Sequence, residues 1–357
     1  MNANFNQKIE HTLLVHKQRG VTLVELMIAM IIGLLVIGGV VQIFISSQQA
    51  YRTQESMSRV QESGRIALEI LSQDIRQAGF RGGCGLGVEV NNLLDSSDAN
   101  YDSQLHSVGA GIEGWNNIAG DFAAQMQNYV AGTDVFLIRH GATLSGVTAS
   151  GNTPAHASNI NLTTDSTVPQ GQIVIVADPE ACDIFQNTSN LNANNLNKSG
   201  GNVAPGNTND NFSKSYGDDM RIMLFSSDIY YIATSNANPQ VNSLWRIDNS
   251  RPNIPLNDRR QELVDGIHDM QIEYGITTNG NRNVDQYVTA DNVADWDDVL
   301  AVRVHLLVRG EHPNVVTNPM QLPFGVLANG AINLFVAQDN NLYQTFTTTV
   351  SLRNKTL

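Results

Sequence analysis

Cysteine is scarce: the 357-residue chain has two, Cys84 and Cys182. Two thiols cannot build a zinc ribbon, and their wide spacing fits no metal-binding motif. Positive charge is scarce as well. Lys and Arg total 21 against 34 Asp and Glu, a formal net charge of −13. That excludes a body built to hold DNA, which needs a basic face to neutralise phosphates. Proline is missing before Pro154, so no proline breaks a helix in that stretch. Catalytic signatures are missing too: there is no G-x-S-x-G, no H-E-x-x-H and no Walker loop. Gly83-Cys84-Gly85-Leu86-Gly87 is glycine-rich but follows a helical pattern rather than a strand, unlike a nucleotide-binding fingerprint. What is present can fold. Hydrophobic residues make up 41%, which excludes global disorder. Charged residues reach only 15% and glycines number 29, a balance suited to a loop-rich, β-containing body outside the cytoplasm. The length allows one large domain or two ordinary ones, plus an appendage.

That appendage is at the N-terminus. The first 20 residues are polar and mildly basic, with Lys8, Lys17 and Arg19 against Glu10. Val21 to Ile45 then reads VTLVELMIAMIIGLLVIGGVVQIFI, with Glu25 as its only charge. At about 1.5 Å per residue this run makes roughly 38 Å of helix, enough to cross a hydrocarbon core of about 30 Å. The basic flank precedes the run, so residues 1–20 are expected on the cytoplasmic side and the rest outside. A cleaved secretory signal would need small residues after the run, and SSQQAYRTQ offers only Ala50. A plain uncleaved anchor leaves Glu25 unexplained, because a carboxylate deep in a span costs on the order of 2.5–3.5 kcal/mol.

The helical pattern continues past the span. In residues 46–80, Val60, Gly64, Ala67, Leu68, Leu71, Ile75 and Ala78 recur at spacings of 3 and 4, one face of an amphipathic helix. Arg52, Glu55, Arg59, Glu62, Arg65, Glu69, Asp74 and Arg76 fall mostly on the other faces and read as solvated. One helix from about Val21 to Ala78 is predicted, ended by Gly79 and Gly82-Gly83.

The string RGVTLVELMIAMIIGLL resembles the class III leader of type IV pilins and of type II secretion pseudopilins. The resemblance implies that a prepilin peptidase cuts between Gly20 and Val21, that the new N-terminus at Val21 is methylated, and that Glu25 is the family's assembly glutamate. Phe is usual at the first mature position, so Val21 departs from the pattern. Pairing a buried amine with a buried carboxylate lowers the cost of both. In pilins that pairing is made between neighbours and sets axial register; the alternative is that Glu25 snorkels to the headgroups. The run YRTQESMSRVQESGRIALEILSQDIRQAGFRGGC, and GTDVFLIRH, ADPEACDIFQ, ELVDGIHDMQIEYGI and TVSLRN downstream, resemble PilW-type minor pilins, themselves similar to the J-type pseudopilin.

The implied fold is α+β: a long pilin helix packed on an antiparallel β-sheet body. The implied division is a leader at 1–20, a membrane and assembly half at 21–45, an amphipathic half at 46–80, and a periplasmic body at 81–357. Strands are predicted at Asp134–Arg139, Gln172–Val176, Met220–Phe225, Ile229–Thr234, Leu244–Ile247, Ile267–Tyr274, Leu300–Val308 and Thr345–Leu352. In Val302–Val308 the even positions face one way and Arg303, His305 and Leu307 the other, as in a sheet with one covered face. Residues 187–211 carry ten Asn and are expected to supply no core, as a mobile loop; residues 93–132 read as a second weakly patterned insertion. Cys182 is placed in a loop after the Gln172–Val176 strand. In an oxidising periplasm Cys84 and Cys182 are expected to pair, with two buried free thiols as the alternative. Asp291, Asp295, Asp297 and Asp298 cluster beside Trp296 without EF-hand spacing, and read as a solvated turn rather than a Ca²⁺ site.

The expected function is structural, with no catalytic residue, cofactor or metal. The family resemblance implies a minor pilin of a priming or tip complex in the inner membrane and then at the cell surface. Its implied partners are the peptidase, other minor pilins, the major pilin and a PilY/PilC-type tip adhesin. Twitching motility, adhesion and DNA uptake would depend on it through the pilus. Removing the leader's net +2 leaves −15, so direct nucleic-acid contact is not expected. A type II secretion pseudopilin is the alternative. A membrane-anchored periplasmic enzyme or binding module is the rival of another class; it requires an uncut N-terminus and a ligand pocket.

Overall fold

The computed structural model describes residues 20–84, 87–326 and 331–356. The leader expected at 1–20 therefore lies outside the described residues except for Gly20. The chain divides into two compact units at Arg52/Thr53. Helix α1, Leu23–Gln77, begins in the first unit and ends in the second. In the first unit its apolar side chains are exposed all round, and it is long and apolar enough to cross a membrane by length and composition.

The second unit is a β-rich body. Its strands are β1 (Val90–Asn92), β2 (Ile112–Trp115), β3 (Val135–Thr143), β4 (Asn159–Asn161), β5 (Ile173–Ala177), β6 (Cys182–Gln186), β7 (Asn195–Asn197), β8 (Arg221–Thr234), β9 (Asn242–Asp248), β10 (Arg260–Asp265), β11 (Ile267–Ile276), β12 (Gln286–Val288), β13 (Val299–Arg309), β14 (Gln321–Val326), β15 (Ile332–Val336) and β16 (Tyr343–Ser351). Two short helices, α2 (Leu256–Arg259) and α3 (Arg353–Thr356), complete it. The larger sheet runs β1-β6-β5-β8-β3-β2, with β9 on β8 and β10 on β9. A second sheet runs β12-β11-β13-β16, and the pairs β14-β15 and β4-β7 stand apart. All pairings are antiparallel except β1-β6.

One core joins α1 to both larger sheets. Val60, Ala67, Leu71, Ile75 and Ala78 lie with Phe136, Ile138, Tyr230 and Ile232 of the first sheet and Met270, Ile272, Val302, Val304 and Leu306 of the second. The expected stripe is thus the buried face, with Leu68 at its margin. Gly64 lets β16 come close: a Cβ there would sit 2.5 Å from the Phe346 ring. In β13 the alternation holds, because Val302, Val304, Leu306 and Val308 join this core while Leu307 faces Phe324, Ala337 and Tyr343.

Several expectations need correction. Strand β8, Arg221–Thr234, is one strand where two were expected at Met220–Phe225 and Ile229–Thr234. Ser227 and Asp228, read as a break, are buried and pair with Arg139 and Ile138 of β3. Cys182 lies in strand β6, not in a loop. The strand was hidden by Asp183, whose fully buried carboxylate accepts from Ser213 N–H (3.0 Å) and from the Ser213 and Tyr216 hydroxyls. Residues 187–211 do contribute core: Leu196 of β7 is fully buried, and so is Asn187. The Asn187 amide donates to Val168, Pro169 and Ser189 carbonyls, so a polar side chain organises the segment where apolar ones are few. Residues 93–132 likewise contain β2 and the buried Leu105, Val108, Phe122 and Met126.

Candidate functional site

Gly20 and Val21 precede α1, and both are exposed. Thr22 caps the helix: its Oγ1 accepts the Glu25 N–H at 3.3 Å, and its carbonyl accepts the Leu26 N–H at 3.1 Å. Thr22-Leu23-Val24-Glu25 has the S/T-x-x-E form of a capping box, a signal that sequence reading passed over. Glu25 thereby falls in the first helical turn, where the orphan N–H groups and the macrodipole favour negative charge. The helix start itself already supplies part of the compensation for the Glu25 carboxylate. Gly33, Gly38 and Gly39 have open space around their Cα atoms, leaving flat spots on the helix surface.

In the body, the end of α1 is held by four sets of bonds. First, Asp74 accepts from His140 Nε2 at 2.8 Å and from the Tyr230 hydroxyl at 2.9 Å. Its carboxylate side chain is 15% exposed, so Asp74 is not on a solvated face as expected. It lies three residues after Leu71 and four before Ala78, at the edge of the buried stripe, and that spacing could have flagged it. Burial pulls the His140 imidazole down, and the hydrogen bond and charge of Asp74 overcome this, leaving it above its ordinary value. Second, Gly79 adopts φ +74° and its N–H donates to the Arg139 carbonyl at 2.9 Å. The approach is close: a Cβ on Gly111 would lie 2.3 Å from the Gly79 nitrogen. Third, the Asn354 amide donates to the Gln77 and Ala78 carbonyls at 3.3 and 3.2 Å, satisfying helix-end acceptors. Fourth, Cys84 and Cys182 form a disulfide with a Cα–Cα separation of 6.0 Å, tying the segment after α1 to β6.

Further down α1, Glu55 accepts from His312 Nε2 at 2.9 Å, and Arg59 pairs with Glu311 at 3.1 Å. The hydrogen bond from His312 holds the Glu55 carboxyl below its usual range. A groove of about 600 Å³ runs beside this stretch, lined by Arg59, Glu62, Ile66, Asp265, Arg309 and Glu311. Its cations are engaged, Arg59 as above and Arg309 by the Gln240 carbonyl at 2.6 Å. Among the described residues no group of three or more His, Cys, Asp or Glu is placed to hold a metal ion. In the acidic cluster, Asp295 caps its own turn by accepting the Asp297 N–H, and Asp291 accepts from the Asn116 amide at 2.7 Å. His305 lies between Thr347 (3.0 Å) and Glu273 (2.9 Å) on the second sheet.

The structure thus places the expected site residues in two groups. Gly20, Val21 and Glu25 belong to the first unit; Cys84 and Cys182 are bonded in the second. Residues 15–41 match the family model described as the prokaryotic N-terminal methylation motif. Residues 229–354, from within β8 to α3, match the model described as type IV pilus-assembly protein W. Comparison with curated proteins and with solved structures finds no match.

Proposed function

From the premise that the chain is a PilW-like type IV pilin, we propose that it acts as a minor pilin in the complex that starts pilus assembly and stays at the tip. The observation that carries this reading is one chain holding both parts. A Gly20-Val21 junction precedes a capped helix whose apolar run holds a single acid, and a β body follows whose residues 229–354 match the pilus-assembly model. Peptidase cleavage at Gly20-Val21 leaves residues 1–20 behind on the cytoplasmic side. Methylated Val21 then begins the span, and Glu25 pairs with the terminal amine of an adjacent subunit to fix register. The first unit anchors the subunit in the inner membrane and packs against other pilin helices. The body, locked to its helix end by Asp74, Asn354 and the disulfide, meets other minor pilins, the major pilin and a tip adhesin of the PilY/PilC type. The role is structural.

Intact mass spectrometry of the mature protein should give N-methyl-valine at position 21, and deletion of the gene should abolish or thin surface pili. A protein that still begins at Met1 would refute the processing step. A normal pilus count with failed protein export would transfer the subunit to a type II secretion machine. For the register role, Glu25→Ala should exclude the chain from the assembled complex while leaving its cleavage intact.

A further inference from the structure

Strands β14 and β15 form a two-stranded sheet of their own. Its inner face is anchored. Phe324 is buried, and the Phe335 ring lies 5.0 Å from Tyr343 and 5.8 Å from His268 between centroids. The outer face is bare. Ile332, Leu334 and Val336 alternate along β15 and are 72, 55 and 43% exposed. Contiguous exposed apolar residues of this kind are a feature of interaction surfaces. Among the described residues β15 pairs with β14 alone, so its far edge presents backbone N–H and C=O groups that no strand takes up. Folded proteins usually blunt such an edge with charge. Here no residue from Pro313 to Gln338 is charged, in a chain with 55 residues that are.

We propose that the free edge of β15 is a docking strand, which takes up by β-augmentation an extended, uncharged segment of another protein with apolar side chains at alternate positions. The backbone row sets the conformation, because only an extended segment matches its spacing. The side chains set the composition: those of an added strand would lie beside Ile332, Leu334 and Val336, where apolar cross-strand neighbours are favourable. Charge sets the owner. A second copy would bring together two mature chains of net −15 each, whereas a neutral or basic protein meets no such repulsion. The clamped inner face keeps the edge in place beforehand, so little is lost in ordering it. The proposal rests on the assembly reading for one point, that the strand's owner is another subunit of the same machine.

The test places a photo-crosslinking amino acid at position 334 of the full chain in cells that assemble the machine, with position 191, an exposed leucine elsewhere, as control. The crosslinked peptide is sequenced, and a synthetic peptide of that segment is titrated onto the full chain in micelles while amide exchange is followed at 332–336. The expected result is a crosslink to a different protein within an alternating apolar segment. Its peptide should slow exchange at 332–336 at least tenfold, and Leu334→Lys and Ile332→Lys should each weaken it at least tenfold without changing Tm. A crosslink to a second copy, no crosslink beyond the control, or binding without amide protection would overturn the proposal. Failure of the assembly reading is separate: a chain still beginning at Met1 that nonetheless shows the protected edge sinks that reading and leaves this one standing.

Discussion

The Cys84–Cys182 bond offers a sharp test of how the helix end is held. It closes a loop of 98 residues in sequence separation. In the chain-entropy account a loop of that length restricts the unfolded chain by about 4.7 kcal/mol at 25 °C. Cys182 is fully buried in β6, between β1 and β5, so its replacement also removes packing; an alanine there loses roughly 1 kcal/mol of sulfur contacts. The bond contributes once, whichever partner is removed. Cys84→Ala should therefore lose about 4.7 kcal/mol, and Cys182→Ala and the double variant about 1 kcal/mol more. The assay is urea unfolding of the full chain in detergent micelles, followed by the fluorescence of Trp115, Trp245 and Trp296, which all lie in the body. Two results would refute the reasoning. One is a loss below about 1 kcal/mol in the double variant. The other is a double-variant loss equal to the sum of the single ones, because additive losses would belong to packing and not to the bond.

Three further outcomes follow from the same body. Gly64→Val drives a side chain into the Phe346 ring and should cost about 1–3 kcal/mol; Phe346→Ala in the same chain should recover part of that loss in a double-mutant cycle. Asp74→Asn removes the partner that raises His140. The wild-type contribution is present below the ordinary histidine pKa and is lost as pH rises through the raised value, so the variant should lose more stability at pH 5.5 than at pH 8.5; equal losses would contradict the ion pair. Burial pushes Asp134 up to about 7, against the N–H groups of Asn117 and Ile272 that it accepts from at 2.8 and 2.7 Å. Its folded-state proton stabilises the protein most below the ordinary carboxylate range, and that contribution declines as pH rises to about 7, with its last part lost by about pH 8. Wild-type stability should therefore still fall from about pH 6.5 to 8, and Asp134→Asn should make that fall shallower, the carboxyls of Asp228 and Asp269 being pushed up to about 7 as well. Buried His106, held down at about 4, acts in the opposite direction, but only below pH 6.5.

Local pattern carried the parts of this protein that depend on a repeating environment. A stripe at spacings of 3 and 4 and the alternation in β13 each state which face leaves water, and the structure buries those faces; the run that is apolar on every side stays exposed in the first unit, long and apolar enough to cross a membrane. The junction Gly20-Val21 and Glu25 are expected from a short contiguous motif, and the methylation-motif match over residues 15–41 spans them. Sequence failed where polar residues are buried. Asp183 hid β6, Ser227 and Asp228 split β8, and Asn187 concealed an ordered segment, because each looks like a turn residue until its distant partners are known.

The sequence by itself determined that an acidic chain carries near its N-terminus one apolar run with a single carboxylate, and that β strands follow. Tertiary structure decided what holds the body together around the end of that helix. The partners of Asp74 come from 66 and 156 residues away, and the helix-end carbonyls are satisfied by Asn354, more than 270 residues later. No local pattern can announce such pairs, since a buried polar group is stabilised by the particular donor that the fold delivers to it, and that donor is chosen by the path of the whole chain.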